Sequence, residues 1–136
     1  MAPDAALLLA LLEPVLEARG LLTSNDAQQT ARALALAVAM ERRAAVLAES
    51  ASPAKRKRLE RIRKGFRHGA RVMASALGLL PADRVDAAPV DAHGHDPELA
   101  EWFAVSPDAL TAKIRETLAL PKMGEVFRMK GEREKP

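Results

Sequence analysis

The chain has 136 residues, enough for one domain with a single modest core. Hydrophobic residues make up 49 % but aromatics only 3 %; the apolar content is largely Ala and Leu, which suits packed helices and disfavours a β-sandwich. Cysteine is absent, which excludes disulfides, thiolate catalysis and Cys-based zinc sites, and the net charge of +3 conceals a strong segregation.

Residues 1–54 carry net −2, residues 55–84 net +8, residues 85–119 net −5 and residues 120–136 net +2. The basic block points to a polyanion; a solvated face neutralised by the acidic segments is the plain alternative. The apolar run Ala5–Leu12 is too short to span a bilayer and follows Asp4 rather than a basic segment. Neither a membrane span nor a signal peptide is expected, and a cytoplasmic protein is.

The first predicted helix runs from Pro3 or Asp4 to Ala18, with Leu8, Leu12 and Val15 on one stripe that Leu9 and Leu16 widen. Pro14 is expected to bend or divide it, and Gly20 to end it. Thr23 then reads as an N-cap, with Asp26 as the acidic half of a capping box.

The second predicted helix spans Ser24–Glu49. Its segment "ARALALAVAM" is apolar on every side and must be covered on every side. One small subunit has few helices with which to do so, and Leu34, Leu36, Val38 and Met40 are therefore the candidate oligomerisation residues. "ESASPAK" is the break.

The third predicted helix, Ala54–Leu77, is amphipathic in an unusual way. Leu59, Ile62, Phe66, Ala70, Met73 and Leu77 share one stripe at 100° per residue. Arg56, Lys57, Arg61, Arg63, Lys64, Arg67, His68 and Arg71 occupy the remaining face. One face packs, and the other forms a basic rail roughly 35 Å long. Arg56, Lys57, Arg61, Arg63, Lys64, Arg67 and Arg71 are the candidate DNA-binding residues. With Phe66 on the core side, the rail offers no base-stacking platform, so phosphates of a duplex suit it better than a single strand.

Domain organisation follows from these elements: a helical core over 1–84, a linker over 85–96, short helices over 97–120 and a tail over 121–136. Asp96-Pro97 reads as an N-cap and first helical residue, and Ser106-Pro107-Asp108 opens another helix with Leu110, Ile114 and Leu118 on one side. In the tail, Val126, Phe127 and Met129 suit docking on a partner better than a core.

Two chemical readings fail. His93 and His95, beside Asp91 and Asp96, have the types for a divalent metal, but Gly94 and the turn residues around them read as a flexible linker. No metal site and no cofactor is assigned. No nucleophile–base arrangement and no phosphate-binding glycine loop occurs, so an enzyme is not expected.

Three stretches in order resemble the bacteriophage terminase small subunit family over roughly residues 10–104. They are "LEPVLEARGLLTSNDAQQTARALALAVA", "RVMASALGLLPADRV" with Leu77, Gly78, Leu79, Pro81 and Arg84 in register, and "DPELAEWF". The resemblance implies an all-α fold with a long antiparallel helical hairpin, assembling as a ring of about eight to twelve subunits. It implies a non-enzymatic protein of the infected or lysogenic bacterial cytoplasm. Such a protein binds viral duplex DNA at the start of packaging and regulates the large terminase subunit, which supplies ATPase and nuclease. The tail residues Val126, Phe127 and Met129 would meet that subunit. A dimeric helical DNA-binding regulator or nucleoid-associated protein, and a helical adaptor for an acidic protein, remain as alternatives.

Overall fold

The computed structural model describes residues 2–87, 90 and 95–117, and every regular element among them is helical. Helix α1 is Pro3–Ala18, α2 Asn25–Ala48, α3 Pro53–Leu77 and α4 Pro97–Trp102; Ala82–Ala87 form a 3-10 turn, and residues 107–117 a further helix, α5. Val126, Phe127, Met129, Leu118, Asp91 and His93 lie outside the described residues.

Local chemistry sets the helix ends. Ser24, not Thr23, caps α2, its Oγ accepting from Ala27 N–H at 3.1 Å. Ser52 caps α3 with Pro53 in the first turn, Asp96 caps α4 with Pro97 next, and Ser106 Oγ accepts from Ala109 N–H at the start of α5. Gly20 (φ 68°) and Gly78 (φ 87°) close α1 and α3 in the left-handed conformation. Leu21 and Leu79 N–H reach back to the carbonyls of Leu16 and Ala74 at 2.8 and 2.9 Å, the long bond of a Schellman end. Pro14 sits inside α1 without dividing it.

Most of the core is one cluster, with a smaller one of Ala44, Ala48 and Leu59 toward the α2–α3 connection. Leu8, Leu12 and Leu16 of α1 meet Leu34, Ala35 and Val38 of α2 and Ala70, Ala74 and Leu77 of α3. Leu99, Trp102 and Phe103 at α4, and Leu110 and Ile114 of α5, belong to the same cluster. The segment beyond residue 96, set apart by a linker in the sequence reading, is therefore core. Trp102, which stands among acids in the sequence, is 4 % exposed. Helices α2 and α3 pack against each other, with Arg56 donating to the Ala48 carbonyl and Arg63 to the Glu41 carboxylate.

A buried guanidinium fastens the later elements. Arg71 is 0 % exposed. It donates to Asp96 Oδ2 at 2.8 Å, to the carbonyls of Val85 and Arg84 at 3.0 and 2.5 Å, and to Glu98 Oε1 at 3.3 Å. Arg84 also donates to Glu98 Oε1, at 2.8 Å. That hydrogen bond, with the nearby Arg71, holds the Glu98 carboxyl below its ordinary value of 4.5 against the opposing effect of burial. Arg84 is correspondingly raised by Glu98.

Because the folded value of Glu98 is depressed, its stabilisation is complete above the ordinary carboxylate range and is lost as pH falls through the lowered value. Acidification below about pH 4.5 is thus expected to loosen the α4 region first. The single tryptophan reports on it, since Trp102 emission should shift to the red as the ring meets water. Glu98→Gln should flatten the acid limb of that transition; an unchanged limb would show that other carboxylates govern it.

Candidate nucleic-acid interface

The rail lies nearer the start of α3 than the sequence reading placed it. Lys55, Lys57, Arg58, Arg61 and Lys64 are exposed, and no carboxylate among the described residues pairs with them. Lys57, Arg61 and Lys64 stand where expected. Lys55 and Arg58 were passed over as site residues, and the run of four cations at 55–58 is the signal that marks them. Arg56 is exposed too, but its Nε and NH2 donate to the carbonyls of Ala48 and Ala51 at 3.2 and 3.3 Å, so it closes the end of α2. Arg67 is half-buried, and His68 is exposed, 3.8 Å from Asp86.

Two rail residues are overturned. Arg63 and Arg71 are 4 % and 0 % exposed and face inward. Arg71 is consumed by the clasp described above. Arg63 Nε and NH2 each lie 3.1 Å from Glu41 Oε1, and its NH1 donates to Glu60 at 2.8 Å. Helix α3 is correspondingly rotated from the expected stripe. Leu59, Arg63, Ala70, Arg71, Ala74 and Leu77 are its buried residues, while Ile62 is 41 % exposed.

The oligomerisation set is corrected in the same way. Leu34 and Val38 are 0 % exposed, within the same core cluster as residues of α1 and α3. Of the four, Leu36 is 48 % exposed and Met40 half-buried. Leu47, two helical turns beyond Met40, is 56 % exposed and extends that outer face of α2.

Behind the rail lies a cleft of about 580 Å³ between α2, α3, α5 and His95. Ala45, Val46 and Ile114 are among its apolar lining. Its inner wall is a buried charge network: Glu41 Oε2 is 3.4 Å from Arg42 Nε, and Arg42 NH1 is 2.6 Å from His95 Nδ1. An arginine can only donate, so that ring nitrogen is the acceptor and carries no proton in this contact. At the rim Arg115 pairs with Glu49. The arrangement binds three helices together. Ser24, Ser52 and Ser106 are spent as caps, and the hydroxyls of Thr30, Thr111 and Thr117 donate to helix carbonyls. Among the described residues no three His, Asp or Glu side chains are grouped to hold a metal, and no helix is long and apolar enough to cross a membrane.

No protein-family model matches the chain, and no curated protein or solved structure matches it.

The division between buried and exposed arginines is testable by stability. Glu41→Gln leaves Arg42 and Arg63 without their shared carboxylate and should cost about 3–5 kcal/mol in urea unfolding. Lys57→Ala or Lys64→Ala should stay within about 0.5 kcal/mol. Equal effects would place Glu41 at the surface.

Proposed function

We propose that the chain is a non-enzymatic duplex-DNA-binding subunit, and within that class a terminase small subunit. It would bind viral DNA at the start of packaging and regulate the large subunit that supplies ATPase and nuclease. One observation carries the DNA reading. Lys55, Arg56, Lys57 and Arg58 occupy the first turns of α3, and that helix has no acidic residue in its first turn. The amino end of a helix already bears positive potential from its aligned peptide dipoles, so cations in the first turn, here Lys55 and Arg56, are unfavourable by roughly 0.3–1 kcal/mol each. An anion relieves both terms at once. Arg61 and Lys64 continue the charge along the same rigid element, which suits contact with successive phosphates.

Assembly into a ring, with the long antiparallel hairpin of α2 and α3 as its wall, belongs to the same proposal. Leu36 and Met40, with Leu47, are the residues of α2 left to serve it. In a ring, modest affinity per subunit is multiplied through linked sites. Val126, Phe127 and Met129 are the proposed contact for the large subunit. The exposed, uncharged Ile62 and Val72 on α3 favour a second reading, a dimeric helical DNA-binding regulator.

Binding to duplex DNA should weaken linearly in log affinity against log salt, with a slope of roughly −0.9 per phosphate contacted. Arg61→Glu with Lys64→Glu should lower affinity for unrelated duplexes alike and flatten that slope. If the double variant binds as the parent does, the rail is not the site. Native mass separates the two assemblies, since a ring and a dimer differ severalfold.

A further inference from the structure

One histidine is held against two buried arginines. His95 directly precedes the Asp96 cap of α4, and its Nδ1 lies 2.6 Å from Arg42 NH1 and 3.5 Å from Arg63 NH2. Arg42 belongs to α2 and is 1 % exposed; Arg63 belongs to α3 and is 4 % exposed. His95 itself is only partly buried, at the wall of the cleft, so protons reach it from solvent. Guanidiniums keep their charge and can only donate. The contact therefore needs the lone pair at Nδ1, and with it a neutral ring.

The charges around the ring enforce that requirement. Glu41 of α2 lies 3.4 Å from Arg42 Nε and 3.1 Å from Arg63 NH2, and Glu60 of α3 lies 2.8 Å from Arg63 NH1. Both carboxylates are thus engaged by the guanidiniums. Farther along the cleft Arg115 of α5 pairs with Glu49, Arg56 donates to the carbonyls of Ala48 and Ala51, and Asp108 is exposed to solvent. A proton on Nδ1 would bring a third cation to two that already share Glu41, and would set donor against donor. The next residue is anchored by the opposite chemistry, since Asp96 Oδ2 accepts from Arg71 at 2.8 Å. Adjacent residues ahead of α4 are tied to different arginines, one through an imidazole and one through a carboxylate.

We propose that His95 is a proton-operated latch: neutral, it ties the chain ahead of α4 to α2 and α3, and protonated, it releases Arg42 and opens the cleft at that edge. Its direction follows from linkage. A folded state that holds the imidazole neutral withholds a proton that the unfolded chain binds near the ordinary histidine value of about 6.5. The stabilisation is therefore complete above that value and is lost progressively as pH falls below it. The Glu98 carboxyl, held below its ordinary 4.5, responds in a lower window. Between the two windows the Arg71 clasp still holds Asp96 and α4, so release stays local to His95 and the cleft. The latch rests on these side-chain contacts and stands apart from the DNA reading.

The test compares the unmodified chain with His95→Gln, whose side-chain carbonyl can accept from Arg42 but takes up no proton. Equilibrium unfolding in urea gives each a folding constant at about pH 7.5 and at about pH 5.5. The constant of the unmodified chain, divided by that of His95→Gln, should fall about tenfold between them, as one proton bound near 6.5 only in the unfolded state requires. Trp102 emission of the folded, unmodified protein should hold still over the same range, because the α4 clasp stays closed. At the higher pH, His95→Ala, which removes the acceptor, should have a folding constant at least about fivefold below that of His95→Gln. A ratio that does not change with pH overturns the latch, and so does a His95→Ala variant as stable as His95→Gln. A red shift of Trp102 already at the lower pH overturns the local release, since α4 would leave together with His95. The chain has three histidines. Should His95→Gln not fold, the double variant His68→Gln with His93→Gln keeps His95 as its one imidazole, and its own folding constant should show the same tenfold fall. A flat profile there overturns the latch equally.

Discussion

Two arginines fix how α3 is turned, and the functional surface follows from that rotation. Arg63 reaches inward to Glu41, and Arg71 reaches inward to Asp96 and Glu98. An unpaired ion in such surroundings would be prohibitive, whereas a paired and hydrogen-bonded one is tolerated. With both guanidiniums held, Lys57, Arg61 and Lys64 can face only outward, and Ile62 is carried out with them. The clasp at Arg71 also recruits α4, because Asp96 serves it and caps that helix through Glu98 N–H at the same time. Position and order of the C-terminal helices thus depend on a charge that hydropathy would leave in water.

Much of the fold was legible in the sequence. Apolar spacing placed three long helices, Gly20 and Gly78 marked two of the ends, and Asp96-Pro97 and Ser106-Pro107 opened the short ones. These signals are local, and local rules suffice for them. The cap of α2 slipped by one residue because Thr23 and Ser24 are chemically equivalent candidates and only backbone geometry chooses between them.

The rotation of α3 was not legible in that way. A hydropathy stripe ranks Ile62 as inside and Arg63 as outside; the reverse arrangement needs Glu41, 22 residues away, and Asp96, 25 residues beyond Arg71. No periodicity carries a pairing at that range. The same limit misplaced Leu34 and Val38. Their surplus of apolar surface was visible, but the core that takes it up extends to Trp102 and Phe103, which stand in sequence among Glu98, Glu101 and Asp108. Of the candidate site, the charge density was readable and the choice of which charges face water was not.

Where a chain breaks a local rule, the compensation shows what the break is for. Arg63 and Arg71 break the rule against buried charge, and their compensation lies inside the subunit, in carboxylates and carbonyls within hydrogen-bond reach. Arg56 breaks the rule against cations at a helix start, and the open carbonyls at the end of α2 answer it. Lys55 breaks the same rule with no such answer, and the exposed Lys57 and Arg58 add their charge in the next turn. An uncompensated positive end calls for an anion. Arg61 and Lys64 continue that charge along the same rigid element, so the anion it suits is an extended one.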